Sequence, residues 1–83
     1  MICVDKIRKV KRSMTWHWTK ACHLYDDNND IDALHKFARL LNLKPEWFQN
    51  RIDFPHYDLT ERKRNLAIAM GATEREFKKS RKE

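Results

Sequence analysis

One glycine and two prolines among 83 residues exclude a collagen-like or low-complexity chain. No apolar run approaches the roughly 18 residues that a membrane-spanning helix needs. The two cysteines, Cys3 and Cys22, are too few for the disulfide framework of a short secreted domain. Cys3, Cys22, His17, His23, His35, His56 and Asp58 are usable metal ligands, but no C-x-x-C or H-x-x-x-H spacing occurs, so no metal site and no cofactor is expected. A basic stretch followed by an apolar core is missing at the start, which argues against a signal peptide. Ile2 stands where myristoylation needs glycine, and Lys82-Glu83 is not a prenylation box. These absences predict a cytoplasmic chain without a membrane partner, its thiols free and buried as small hydrophobes.

What remains is a small basic protein with enough apolar material for one core. Hydrophobic residues make up 41% and include three Trp, four Phe and two Tyr, which argues against disorder. Eighteen basic residues against twelve acidic ones give +6. Residues 1–20 hold six basic residues against Asp5 alone, residues 21–60 four against seven, and residues 61–83 eight against four. The excess positive charge therefore lies at the two ends, around an acidic middle. If the ends meet they form one basic surface, which is the electrostatic footprint of a nucleic-acid or nucleotide partner.

Periodicity predicts an α+β fold. Ile2-Cys3-Val4 reads as a strand over 2–5 and Lys6–Ser13 as an irregular arm. Met14, Trp16 and Trp18 alternate with Thr15, His17 and Thr19, which predicts a strand over 15–25. Asp26–Asp30 is a turn and a supply of helix caps. Helix 31–42 buries Ala33, Leu34, Phe37, Ala38, Leu40 and Leu41, with His35 at its boundary. Pro45 opens a short helical turn. Asp58-Leu59-Thr60-Glu61 has the form of a capping box with Asp58 as the cap, and Gly71 suits the stop, so a second helix spans 59–70. Its stripe is Leu59, Leu66, Ala67 and Met70, with Lys63 in the middle. Thr73–Glu76 is another capping box and opens a charged helix over 73–82. The expected architecture is a two- or three-stranded sheet on two amphipathic helices, as one compact domain over 1–72, with a charged helical extension over 73–83.

Candidate sites follow from chemistry. His56, Tyr57, Asp58, Lys63 and Arg64 would meet at one helix N-terminus, where backbone N–H groups favour an anion. There His56 would be the general acid or base, Tyr57 or Asp58 would orient it, and the two cations would hold phosphate. The blander alternative makes Asp58 a cap, Tyr57 an edge residue and Arg64 a solvated cation. Asp5, Arg8 and His23 converge only if the two strands are neighbours. His35, with Arg39 one turn away, is a further candidate for that pocket. Cys22 cannot be activated by His23, because adjacent strand residues face opposite ways. The basic arm with Trp16 and Trp18 offers phosphate contacts beside stacking platforms; the competing reading buries both tryptophans.

Several of these residues together resemble a known family. Val4-Asp5 with Arg8, Cys22-His23-Leu24, Ala33–Ala38, Trp47-Phe48-Gln49, His56–Thr60, Lys63-Arg64 and Gly71-Ala72 are similar to the domain of unknown function 4031 family of small bacterial and phage proteins. The resemblance runs over residues 2–72 and implies a compact mixed α/β domain with no agreed activity. It adds Gln49 to the ligand-binding candidates. Lys6 departs from the family pattern, where a second acid often follows the first, and so does the charged tail, which in the family is short and extended.

The leading expectation is a basic module that binds a phosphate-bearing ligand, with nucleic acid the best fit. The alternative is a small hydrolase or phosphodiesterase-like enzyme using His56. A third is a phage protein that modulates a host protein.

Overall fold

The structure is a computed structural model, and it describes residues 1–14, 16 and 18–75. Over the described residues it is an α+β fold with six strands and two α-helices. In chain order these are β1 (Ile2–Val4), β2 (Arg8–Lys9), β3 (Lys20–Asp26), α1 (Ile31–Leu40), β4 (Phe48–Gln49), β5 (His56–Leu59), α2 (Glu61–Ala69) and β6 (Thr73–Glu74). The sheet order is β4-β5-β3-β1-β6, with β2 also paired to β3. Only β6 runs parallel to its neighbour β1; the other pairings are antiparallel. The sheet is thus twice as wide as the sequence suggests.

β3 is the axis. Its period-two pattern sends Cys22 and Leu24 to one face and His23 and Tyr25 to the other. The first face is the core. Val4, Cys22, Leu24, Tyr57 and Leu59 pack there against Leu34, Ala38 and Leu41 of the α1 segment and Ala67 of α2. Both cysteines are free and buried. Burial pushes the Cys22 thiol up to about 12.

α1 begins where expected. The Asp30 carboxylate accepts from the Ala33 N–H at 3.1 Å, which satisfies one free donor of the first turn. The helix ends when Asn42 takes φ 62° and the Leu43 N–H reaches back to the Ala38 carbonyl at 3.0 Å. α2 ends in the same way, with Gly71 at φ +110° and Ala72 N–H on Ala67 O. Pro45–Trp47 forms the expected short turn, a 3-10 helix.

Three expectations are corrected. Asp58 does not cap α2: Thr60 does, its hydroxyl accepting from Lys63 N–H at 3.2 Å. His56–Leu59 instead form β5, because they find partners along β3 (Cys22↔Leu59, His23↔Asp58, Leu24↔Tyr57) and along β4. A local capping signal loses to two strand neighbours. The buried face of α2 is also rotated: Leu66 and Met70 are exposed, and Lys63, Arg64 and Ile68 are inward with Ala67. Finally, Thr73 and Glu74 do not open a helix. They pair with Cys3 and Val4, where the open edge of β1 offers hydrogen-bond partners, and the Arg75 N–H continues the pairing to Val4 O at 2.8 Å. The rest of the expected tail helix lies outside the described residues.

The predicted strand over 15–25 starts at Lys20. Thr15 and His17 lie outside the described residues. Met14 is 93% exposed and Trp18 49%, so the apolar side of that alternation is not part of the core. The tryptophan rings meet edge to face at 4.9 Å. Among the described residues, no helix is long and apolar enough to cross a membrane.

Candidate functional site

β1 and β2 form one interrupted strand along β3. Val4 faces Leu24 and Arg8 faces Ala21, so three residues, Asp5 to Ile7, stand opposite two, Cys22 and His23. One residue too many makes a bulge, which re-aims side chains. Asp5, next after core-facing Val4 and bonded through its N–H to the His23 carbonyl, falls by alternation on the face away from the helices, and the bulge follows it. Asp5 is 2% exposed, and every group around it donates. Its Oδ1 accepts the His23 backbone N–H at 2.7 Å. Its Oδ2 accepts from His23 Nδ1 at 2.7 Å and from the Arg8 guanidinium at 3.1 Å. Burial alone would raise this carboxyl; the hydrogen bonds from His23, with the Arg8 guanidinium beside them, outweigh it and hold Asp5 below the usual range. The Asp5 carbonyl accepts from Arg64 Nε at 2.7 Å.

On the same face β5 sets His56 and Asp58 beside His23. Asp58 is the direct cross-strand partner of His23, and His56 lies two residues earlier. The His56 Nδ1 bonds the Phe54 carbonyl at 2.8 Å. A carbonyl only accepts, so Nδ1 carries the proton and Nε2 the lone pair. The Asp5 carboxylate imposes the same tautomer on His23. Both Nε2 lone pairs thus remain available, next to a carboxylate. The rings lie 4.6 Å apart at 85°, and His56 Nε2 is 3.6 Å from Asp58 Oδ1. The ligand atoms of His23, His56 and Asp58 all lie within 4.8 Å of one another, so these three could hold a metal ion. Phe54 stacks on His56 at 4.8 Å and covers one flank.

Two open grooves share His23 and Asp58. One, of about 270 Å³, runs past Arg8, Lys11 and Trp16. The other, of about 380 Å³, runs past Gln49, Arg51 and His56. Cations thus flank the imidazoles on both sides.

Of the residues singled out in the sequence, Asp5, Arg8, His23, His56 and Asp58 come together, with Trp16 and Gln49 in the adjoining grooves. The proposed helix N-terminal cluster does not form. Tyr57 faces the core and bonds His35 Nδ1 at 2.7 Å, so this pair lies across the sheet from His23. Arg39 is exposed on α1. Lys63 Nζ donates to the Leu41 carbonyl at 2.6 Å, and Arg64 is held by Asp5 O. Both cations on the inner face of α2 are tied to backbone carbonyls. Trp18 stands with Trp16 at the surface. Lys11 belongs to the basic arm already singled out, whereas Arg51 carries no distinguishing local signal and is brought in by the loop after β4. The ligand set itself was readable only as His56-x-Asp58, a period-two pair on a strand, once that stretch is taken out of the helix.

The family model described as protein of unknown function (DUF4031) matches residues 2–82. The chain belongs to the DUF4031 family. No curated protein and no solved structure matches it. For this DUF4031 protein the geometry of the site is therefore the ground on which function is argued.

Proposed function

We propose that this DUF4031 protein binds nucleic acid along its basic arm and acts on a phosphodiester at the His23–His56–Asp58 centre. One observation carries the reading: two imidazoles, each fixed at Nδ1, present Nε2 lone pairs to one open site whose flanks bear Arg8, Lys11 and Arg51. Cations there neutralise phosphate oxygens. The lone pairs sit where a water could be activated against phosphorus, either by taking its proton or by holding an ion that does so. Trp16 beside Lys11 gives a base a surface to stack on.

A second reading, a module that only holds nucleic acid, is favoured by the surface position of the Trp16–Trp18 pair. The same experiment separates the two. Fluorescence anisotropy with a labelled single-stranded oligonucleotide reads affinity, and gel analysis of the same oligonucleotide reads cleavage. With three flanking cations the log–log salt slope should be about −2 or steeper. His23→Ala should keep affinity within a few-fold and reduce cleavage by about 100-fold or more. Binding without cleavage by the wild type leaves the module. No binding at low salt, or affinity indifferent to salt, refutes both.

A further inference from the structure

We infer that His23 Nε2, His56 Nε2 and an Asp58 carboxylate oxygen form an open-sided site for a divalent transition-metal ion, zinc or manganese in type. The inference deepens the phosphodiester reading, because it names what activates the water at that same centre.

The tautomers point to it first. A histidine that binds a metal through Nε2 usually gives its Nδ1–H to a carboxylate or a backbone carbonyl, which orients the ring. Both histidines do so here: His23 to buried Asp5 at 2.7 Å, His56 to Phe54 O at 2.8 Å. The second support is distance. Bonds of about 2.0–2.2 Å place donors about 3–3.6 Å apart around a tetrahedral ion. The His56–Asp58 pair already stands at 3.6 Å, and one ligand atom from each of the three residues lies within 4.8 Å of the other two. Asp58 is 34% exposed, so its carboxylate is free to close the remaining gap.

The donor set selects the ion. Two imidazoles and one carboxylate suit zinc, manganese or iron rather than calcium or magnesium, which prefer oxygen alone. Three protein ligands leave at least one position open, as in sites that bind water or substrate; structural zinc sites close with four, usually including thiolates. The thiols are not recruited. Cys22 faces the core on the opposite side of the sheet.

Charge completes the case. Arg8 pairs with the Asp5 carboxylate, so a doubly charged ion on Asp58 leaves a net positive centre. Its open side meets the grooves that Arg8, Lys11 and Arg51 flank. A phosphate oxygen arriving there finds the ion and the cations together. Among the described residues no other group of His, Cys, Asp and Glu gathers three donors in this way.

The test uses the full chain, stripped with a chelator and titrated with Zn2+ and then with Co2+. One equivalent should bind, with a Co2+ visible spectrum of N/O ligation. In the wild type, Zn2+ should move the Nε2 resonances of His23 and His56. Asp58→Asn, at a part-exposed position, should fold by circular dichroism and bind about 10- to 100-fold more weakly, and so should Asp5→Asn through its loss of ring support. No saturable binding of either ion, or binding equally tight in Asp58→Asn and His23→Gln, overturns the site. Oligonucleotide cleavage untouched by chelator overturns the metal and leaves the phosphodiester reading standing. One bound ion in a protein with no affinity for oligonucleotide keeps the metal and removes that reading.

Discussion

Asp5→Asn tests whether the Asp5 carboxylate aims His23. The substitution preserves shape but replaces one acceptor oxygen with an amide. The His23 backbone N–H cannot change its polarity, so the amide oxygen must take that bond, now held at 2.7 Å. The NH2 group then faces His23 Nδ1 and Arg8, both donors. Arg8 loses its partner; at its half-exposed position that costs about 0.2–1 kcal/mol. Two charge-assisted bonds become neutral ones, at about 1 kcal/mol each. The sum is about 2–3 kcal/mol, against the roughly 4–12 kcal/mol expected for a domain of this length. The variant should fold, with its urea midpoint lowered by about 1–2 M.

Stability alone would not separate aiming from packing; the tautomer does. To meet an NH2 donor, His23 must move its proton from Nδ1 to Nε2, which takes its lone pair out of the groove. Nitrogen chemical shifts of the neutral rings read this directly. His23 should switch tautomer and His56, held by Phe54 O, should not. An Asp5→Asn protein whose His23 keeps Nδ1–H would refute the positioning role, whatever its stability.

Three other outcomes follow from the same contacts. Burial would raise the Asp26 carboxyl, but bonds from Asp30 N–H, the N-terminal ammonium and Asn28 N–H outweigh it and hold it below its ordinary value. Its stabilisation is complete above about pH 4 and is lost as pH falls through the lowered folded value. Asp26→Asn should therefore cost about 1–2 kcal/mol at neutral pH and less near pH 3; equal cost at both pH values in urea melts would count against it. Lys63→Met should lose about 1 kcal/mol, because Nζ serves the Leu41 carbonyl, with oligonucleotide affinity unchanged within twofold; a tenfold loss would return Lys63 to the ligand site. The Cys22 thiol, pushed to about 12, and buried Cys3 should react with a thiol reagent only after unfolding. Prompt labelling of native protein would show that the core face is open.

Local pattern was enough for β1, for the start of α1 after a cap-rich turn, for the Pro45 turn and for the positive φ at Gly71, though Leu40, expected on the buried face of α1, is exposed. It also made the meeting of Asp5, Arg8 and His23 conditional on strand adjacency, and the β1–β3 pairing satisfies that condition. It failed where a partner distant in sequence decides. Asp58–Glu61 is a sound capping pattern, yet pairing with β3 and β4 draws His56–Leu59 into the sheet. Thr73-Glu74 is drawn to β1 for the same reason. Met14, Trp16 and Trp18 alternate like a core stripe, but the helices already cover the one apolar face, and Met14 and Trp18 stay at the surface. His23, His56 and Asp58 could be named as possible ligands but not grouped, because their spacing is a register, His23 opposite Asp58, and not a motif.

The two faces of the sheet answer different demands. The apolar cluster on the helix side accounts for folding. On the other face a carboxylate is desolvated, and a buried ion pair is on average no more stabilising than apolar residues of the same volume. A small domain has little stability to lose to such an arrangement. Packing therefore does not explain Asp5, and neither does solubility, since it is 2% exposed. Besides satisfying the His23 backbone N–H and pairing with Arg8, Asp5 fixes the tautomer of His23, which no apolar residue could do. Phe54 O does the same for His56 by an independent route, from a different segment of the chain. Two unrelated contacts that leave the same ring nitrogen free, on neighbouring strands and beside one carboxylate, have a common consequence only in the groove those nitrogens face.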